Sequence, residues 1–527
     1  MVYRGKPSRG CENCRKLHKS CDEKHPACSR CTRTQKRCLG YRNQTDLMFH
    51  NENTRTKARF RQWHARTSGS ASTSANNASL SPLFSAGTNL MYSDPVTLTY
   101  SLSLPREEVV INYFYHTVLD NLSDEDPVRY LLTQLPNLYA TSDPGSALRL
   151  ATEAVSYASY TTLVPGAALL CRKRYVEAIK AIGQAIQDPA EVVSDQTLYA
   201  VLLLCGYETT AQDPTTASAW GAPVDGAAAI VKFRGMSQVH STLSRSMFWF
   251  LRRSVVLSHM QTCRPIGDVF SGPNVTTPLH DSPEYRLISI AAEIPNLQYQ
   301  SNHLFSQPRD AIENEVENLF RSARALESEI SNWELSVPTT WSYSAATNVN
   351  DHPSSDFSPR QIHRYPNIYT ARVWNFYRVS RLIIQSVLIR TISWMSSSMD
   401  FNRFDEIRKV EISSAELVDD ICASVYFLLG YDLSKMKLLS SSGGTKEDKT
   451  SGHGVKGSDI TQRGRFSLIW PLYVTSSSLS VPEAQRDWMR MQLRFLANHG
   501  ETQAQSVYST RSQILLGGAD HIRFDCV

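Results

Sequence analysis

The sequence predicts a two-part fold, in which a small cysteine-rich N-terminal module is followed by a linker and a large all-α C-terminal domain. Three observations predict it. Six of the 11 cysteines fall within residues 11–38, the sign of the net charge changes after residue 66, and apolar residues recur at helical spacing from about Pro105 onward. A chain of 527 residues is longer than one small core requires, so we expect two or more folded parts.

The cysteines of the N-terminal module repeat a single unit, C-x2-C-x6-C. It occurs as CENCRKLHKSC and again as CSRCTRTQKRC, and a six-residue loop containing Pro26 joins the two copies. Thiolates at C-x2-C spacing suit Zn(2+), which prefers four ligands in a tetrahedron at about 2.3 Å. The sequence therefore predicts a zinc site with these candidate ligands: Cys11, Cys14, Cys21, Cys28, Cys31 and Cys38.

The number of sulfurs limits how zinc can be held. Six thiolates can serve one ion and leave two spare, or they can serve two ions by sharing. Two tetrahedral ions need eight bonds, so six sulfurs suffice only if two of them bridge. In a two-fold repeat the natural bridges are the first cysteines of each half, Cys11 and Cys28.

Other uses of these cysteines fit the pattern less well. A disulfide framework needs an oxidising compartment, but the polar, basic start of the chain has no apolar signal-peptide core. A thioredoxin-like site needs one C-x2-C beside a βαβ pattern, and an iron–sulfur cluster would not need the second half-repeat. The isolated cysteines are expected to be buried apolar residues: Cys171, Cys205, Cys263, Cys422 and Cys526.

Charge is distributed unevenly along the chain. The first 66 residues hold 17 Lys+Arg and 5 Asp+Glu, a net charge of +12. This leaves 38 of the 55 basic and 45 of the 50 acidic residues for the remainder, a net charge of −7. A basic head on a mildly acidic body is typical of a nucleic-acid-binding module attached to another domain. No apolar run approaches the roughly 18 residues of a membrane span, so we expect a soluble, intracellular protein.

The cysteine stretch closely resembles the fungal Zn(II)2Cys6 binuclear-cluster transcription factors. Besides the six cysteines, the resembling residues are Arg15, Asp22, Pro26, Gly40 and Tyr41, and the match covers about residues 8–45. In that family the first and fourth cysteines bridge two zinc ions, as the bond count requires here. The resemblance implies a nuclear protein that binds double-stranded DNA and regulates RNA polymerase II genes, with two Zn(2+) per chain.

Two short helices are expected beside the cysteines, over Arg15–Ser20 and Thr32–Arg37, and modules of this class place a helix in the major groove. Since lysine can donate to guanine O6 and N7, we predict base contacts from Lys16, His18 and Lys19. Contacts to the phosphate backbone are predicted for Arg15, Arg30, Arg33 and Lys36. The family usually carries basic residues where this chain has Leu17 and Ser20, so its usual CGG triplet is not transferred.

Two segments follow the DNA-binding module, which is predicted to occupy residues 1–45. Residues 46–66 form a basic extension, which we interpret as a nuclear-localisation signal with non-specific affinity for DNA. The alternatives are an extra phosphate clamp or a solvated helix. No sustained heptad pattern follows, so a coiled coil is not evident and a homodimer is left open. Residues 67–104, rich in Ser, Ala, Asn and Thr, are expected to be a flexible linker.

Residues 105–527 are expected to form an all-α regulatory or effector domain, interrupted by a disordered insertion at residues 430–464. Strand-like alternation is scarce, and helices are predicted after Pro105, in Gly166–Asp188, Leu198–Glu208, Ser244–Met260 and Ala371–Arg390, and after Pro482. The segments LYAVLLLCGYE, WNFYRVSRL and IWPLYV resemble the regulatory region of many fungal zinc-cluster factors.

These features favour a regulator over an enzyme, because the chain has no GxSxG, HExxH, P-loop or GxGxxG motif. The first hypothesis is a sequence-specific DNA-binding transcription factor whose C-terminal region contacts the transcription machinery, in a metabolic or secondary-metabolite pathway. The alternative is a zinc-stabilised interaction protein whose cluster binds protein or RNA. The charge of the head favours the first, since counterion release from duplex DNA rewards clustered Lys and Arg.

Overall fold

The structure is a computed structural model, and the chain divides into two units, Met1–Thr99 and Tyr100–Val527. The described residues are 11–22, 24, 27–38, 107–120, 122–161, 166–210, 222–235, 240–271, 282–308, 312–347, 357–395, 401–431, 433, 460–478 and 481–509. The basic extension, the linker, most of the predicted insertion, and Pro26, Gly40 and Tyr41 lie outside them. The domain boundaries therefore stay predictions.

The first unit contains two short helices, α1 (Glu12–Lys16) and α2 (Ser29–Arg33), and each begins three residues before its predicted start. The predicted bounds, Arg15–Ser20 and Thr32–Arg37, were wrong because the cysteines themselves start the helices. The Cys28 sulfur caps α2 by accepting a hydrogen bond from the Cys31 backbone N–H. After each helix one residue is left-handed, His18 with φ 49° and Gln35 with φ 52°, and a right-handed helix cannot continue through such a residue.

The described part of the second unit is mainly helical, as predicted. Its helices are α3 (Glu107–Asp120), α4 (Pro127–Thr141), α5 (Ala147–Tyr160), α6 (Ala167–Gln187), α7 (Asp195–Thr210), α8 (Ala222–Arg234), α9 (Thr242–Thr262), α10 (Asp268–Ser271), α11 (Pro283–Ala291), α12 (Ile294–Leu304), α13 (Glu313–Leu335), α14 (Ile368–Met395), α15 (Phe401–Leu428), α16 (Ile460–Ser476), α17 (Glu483–Asn498) and α18 (Thr502–Ser509). A 3-10 turn, Thr339–Trp341, precedes one short hairpin of β1 (Ser344–Thr347) and β2 (Gln361–Arg364), antiparallel with Ser344 opposite Arg364.

The helices predicted from apolar spacing are confirmed at α3, α6, α7, α9, α14 and α17. Side-chain caps explain several of their starts. Ser241 accepts a hydrogen bond from the Ser244 N–H at the start of α9, and Asp126 accepts one from the Val128 N–H at the start of α4. Among the described residues no helix is both long and apolar enough to cross a membrane.

Helix α14 lies at the centre of the second unit, and most of its residues are buried between α13, α15 and α16. Arg378 is 1% exposed at its middle. Its guanidinium donates to the Tyr365 hydroxyl at 2.7 Å and to Asn375 Oδ1 at 2.9 Å, and it lies 3.3 Å from the Asp420 carboxylate. A buried charge is tolerated when it is paired and hydrogen-bonded in this way, so Arg378 is part of the core.

Two predicted helices bury a different face from the one their apolar spacing suggests. In α6, Ile182 is buried beside Cys171 and Ala178, whereas Ile179 and Ile186 are about half exposed. In α17, Trp488 and Leu496 are buried, whereas Met491 is exposed. Spacing places residues on a helix face, but the neighbouring helices decide which face is covered.

Helix α16 begins at Ile460 and includes Gly464, so it extends into the last residues of the predicted insertion. A glycine in such an insertion would be expected in a loop. Instead, Gly464 allows close helix packing, since a Cβ atom built there would collide with the Leu428 carbonyl oxygen at the end of α15.

Replacing this glycine gives a test of the α15–α16 contact. We expect Gly464→Ala to lower the free energy of unfolding by about 1–3 kcal/mol, the usual cost of overpacking. The denaturation midpoint of the full chain measures it. Gly183→Ala in α6 is the matched control, because its Cβ would meet no atom within 4 Å. The Gly183→Ala change should be neutral or stabilise the chain by up to about 1 kcal/mol. Equal denaturation midpoints for Gly464→Ala and the unmodified chain would refute the close contact between α15 and α16.

Candidate metal centre and nucleic-acid interface

The six cysteine sulfurs of the first unit form two overlapping groups of four. One group is Cys11, Cys14, Cys21 and Cys28, and the other is Cys11, Cys28, Cys31 and Cys38. Within each group all sulfurs lie within 4.8 Å of one another. Cys11 and Cys28 belong to both groups, which is the sharing that the bond count predicted.

The sulfur–sulfur distances fit a tetrahedral metal and not disulfides. The Cys11–Cys28, Cys11–Cys31 and Cys14–Cys28 distances are 3.6, 3.7 and 3.8 Å. Four sulfurs at about 2.3 Å from one zinc ion stand about 3.8 Å apart, whereas a disulfide would require about 2.05 Å. The donor set therefore fits two zinc ions, with Cys11 and Cys28 as the bridging ligands.

Most of these sulfurs are shielded from solvent, and a backbone N–H group donates a hydrogen bond to one of them. Cys11, Cys14, Cys28 and Cys31 are buried. The Cys11 N–H donates to the Cys21 sulfur at 3.4 Å, and such donors stabilise the negative charge of a thiolate. Burial raises the pKa of the Cys11 thiol above its usual range. Zinc must therefore displace protons as it binds, which couples metal affinity to pH.

The two halves of the centre fold alike. Cys11 and Cys28 are 17 positions apart, and the backbone hydrogen bonds repeat at the same interval. The Lys19 N–H donates to the Cys14 carbonyl at 2.9 Å, and the Lys36 N–H donates to the Cys31 carbonyl at 3.0 Å. Each half thus contributes a helix, a left-handed residue and then a lysine.

Two side chains that are not metal ligands hold the module together. Asn13 Nδ2 donates to the Arg37 carbonyl at 2.7 Å and so ties the first half to the second. The Asp22 carboxylate accepts hydrogen bonds from the Ser29 hydroxyl and backbone N–H at the start of α2, which lowers its pKa. The sequence analysis noted Asp22 but missed Asn13. The repeat gave no signal for it, because the equivalent position in the second half is Arg30.

The predicted base-contacting residues are all exposed, but they do not share one helix. Lys16 is the last residue of α1 and its Nζ lies 2.8 Å from the Glu12 carboxylate. His18 occupies the left-handed turn, and Lys19 follows it. Lys16 and Lys19 therefore do not share a helix face, although a helix over Arg15–Ser20 would have placed them on one side. Leu17 is 54% exposed, so it does not pack beneath the cluster.

The predicted phosphate-contacting residues lie in both halves. Arg30 and Arg33 are on α2, and Lys36 comes after its left-handed turn, so Arg33 and Lys36 also do not share a helix. Arg33 and Lys36 are exposed and Arg30 is half-buried. The side chain of Arg15 lies outside the part that the structure describes. Which of these cations contact bases and which contact phosphates stays a prediction.

Two similar halves, each with a short helix, surround two groups of four sulfurs that share Cys11 and Cys28. This arrangement defines a binuclear zinc-cluster module. Residues 9–47 match the family model of the fungal Zn(2)-Cys(6) binuclear cluster domain. The chain is also similar to "Transcription factor dbaG" of Emericella nidulans, with 24% identity over 332 residues, which is 62% of this chain and 72% of that protein. No solved structure matches the chain.

Residues 9–47 thus carry a fungal Zn(2)-Cys(6) binuclear cluster domain, and a longer part of the chain is similar to a fungal transcription factor. The chain binds two zinc ions, and the clustered cysteines of residues 11–38 fit such a binuclear site. It is a DNA-binding transcription regulator and not an enzyme.

Replacing a bridging cysteine should lower the zinc content of the chain more than replacing a cysteine that belongs to one group only. Elemental analysis of the full chain should find two zinc ions. Cys11→Ser or Cys28→Ser should lose the most metal, because each removes a ligand from both ions, whereas Cys21→Ser or Cys38→Ser weakens only one. Cys205→Ser, outside the module, serves as the control and should keep both ions.

One zinc ion per unmodified chain would contradict the shared arrangement. So would equal zinc loss from the Cys11→Ser and Cys21→Ser variants.

Proposed function

We propose that the zinc cluster recognises a specific site in double-stranded DNA and so directs the chain to RNA polymerase II genes. The observation that carries this proposal is the set of basic side chains that both halves of the module leave exposed or half-buried. Lys16, His18 and Lys19 come from the first half, and Arg30, Arg33 and Lys36 come from the second. Duplex DNA releases counterions when clustered Lys and Arg bind its phosphates, so this arrangement favours DNA over an uncharged protein surface.

Within this proposal the two halves have different tasks. Lys16, His18 and Lys19 contact base edges, whereas Arg15, Arg30, Arg33 and Lys36 hold the phosphate backbone. The ion pair between Lys16 and Glu12 is exposed, and exposed pairs contribute little, so Lys16 can exchange it for a guanine. The exposed Leu17 offers an apolar contact to a thymine methyl group, which would shift the preferred triplet away from CGG.

The remaining parts of the proposal concern the setting of this activity. Nuclear location is supported by the family. The helical region from residue 105 to 527 would contact the transcription machinery, and a metabolic or secondary-metabolite pathway is supported only by the resemblance to regulators of such pathways. A homodimer is compatible with the sequence. Recognition of RNA or protein by the cluster is the second candidate function. The basic side chains favour a nucleic acid over a protein, and the match to the zinc-cluster domain favours DNA over RNA.

Alanine variants can separate base contacts from backbone contacts. Lys16→Ala or Lys19→Ala should weaken the preferred site more than random duplex DNA, by about 1–3 kcal/mol for a lost guanine contact. Fluorescence anisotropy with both duplexes across a salt series measures this. Lys232→Ala in the second unit is the control. Equal losses on both duplexes would show that Lys16 and Lys19 only hold the backbone.

The second half should behave differently. Arg33→Ala or Lys36→Ala should weaken all duplexes alike and make the salt dependence shallower by about one unit each, since each variant removes one phosphate contact. A selective loss at the preferred site, with an unchanged salt slope, would instead assign these residues to base recognition.

A further inference from the structure

The outward face of α17 carries a row of arginines that forms no ion pair within the part of the chain that the structure describes. Arg486, Arg490 and Arg494 follow one another at four-residue intervals, which places them on one side of the helix about 6 Å apart along its axis. Among the described residues none of the three forms an ion pair with a carboxylate. The residues from 67 onward carry a net negative charge, so the row is a local exception.

The opposite face of α17 fixes the direction in which this row points. Trp488, Met489, Leu493 and Leu496 are buried in the core. Gln485 adds a polar anchor, because its Nε2 donates to Asp419 Oδ1 of α15 at 2.8 Å. With this face held by packing and a hydrogen bond, α17 cannot rotate to bury its arginines: Arg490 and Arg494 are exposed, and Arg486 is half-buried.

An exposed apolar stripe runs beside the arginines. Met491 is 41% exposed and Phe495 is 37% exposed, again four residues apart. The Phe495 ring contacts the His499 ring with 4.0 Å between the ring centroids. A charged row next to a flexible thioether and an aromatic ring provides both kinds of contact that a peptide-binding surface uses.

We propose that this face of α17 docks an acidic amphipathic helix of a protein partner. Charge complementarity selects this occupant, since three arginines outnumber the two acidic residues of α17, Glu483 and Asp487, and leave the helix surface with a net positive charge. A partner helix with carboxylates at every fourth residue repeats the same spacing of about 6 Å and can lie along the row. Its apolar side chains would cover Met491 and Phe495.

DNA phosphates could also meet the arginine row, but the apolar stripe favours a protein partner. A phosphate backbone offers no apolar surface that could cover the Met491 and Phe495 side chains. Asp487, exposed on α17, repels a phosphate and a partner carboxylate alike, so it does not distinguish the two. The inference deepens the proposed contact between the C-terminal region and the transcription machinery and rests on that proposal only for the partner's role.

Peptide binding to the full chain tests the docking surface directly. The probe is a fluorescein-labelled synthetic helix with glutamate at every fourth residue and leucine beside it, and a scrambled peptide of equal composition is its reference. Arg490→Glu with Arg494→Glu should weaken binding by about tenfold or more, because attraction becomes repulsion. Met491→Ser with Phe495→Ser should weaken it several-fold without changing its salt dependence.

A charge reversal elsewhere provides the matched control. Arg408 and Lys409 are exposed on α15, so Arg408→Glu with Lys409→Glu should leave peptide affinity unchanged. Circular dichroism checks that each variant keeps its helices. Equal peptide affinity for the unmodified chain and the Arg490/Arg494 variant would overturn the proposal, as would equal binding of the scrambled peptide.

Duplex binding by the same variants separates this inference from the proposed function. The Arg490/Arg494 variant should bind random duplex as the unmodified chain does, and a loss there without a loss of peptide would show that the row is a DNA contact instead. Failure of the unmodified chain to prefer any duplex site would contradict the proposed function and leave the peptide result standing.

Discussion

The N-terminal unit depends on one constraint, that two metal ions require eight metal–sulfur bonds and the module supplies six sulfurs. Sharing places Cys11 and Cys28 at the centre, and it explains why the two halves repeat at an interval of 17 residues. The cysteines are also the core of the described module, because no other apolar side chain joins their cluster. A module of this kind has almost no hydrophobic stabilisation of its own, so the energy of zinc binding is its folding energy.

The second unit is stabilised in a different way. Its core is a continuous set of aliphatic and aromatic side chains around α14, and buried charges such as Arg378 are matched by hydrogen bonds and by Asp420. This unit needs no metal to bury its apolar surface. The proposed functions divide accordingly: the metal-dependent head would present cations to DNA, and the helical body would present the arginine row of α17 to a protein partner.

Much of the metal centre could be predicted from the sequence, because ligand type, spacing and number are all visible in it. The bounds of α1 and α2 could not, since non-glycine residues rarely adopt a positive φ and nothing marks His18 and Gln35 as such residues. Gly464 looked like a loop residue because its role depends on Leu428, which is distant in the sequence. The exposure of Ile179 and Met491 likewise depends on which neighbouring helices cover each face.

Selection from a random double-stranded DNA library by the full zinc-loaded chain, with and without a chelator, tests the central claim most directly. The account predicts that zinc-loaded protein enriches one family of duplex sites and that enrichment disappears with the chelator, because the head unfolds without metal. An RNA library run in parallel should show no enrichment. Duplex enrichment that survives complete zinc removal, or zinc-dependent enrichment of RNA alone, would contradict it.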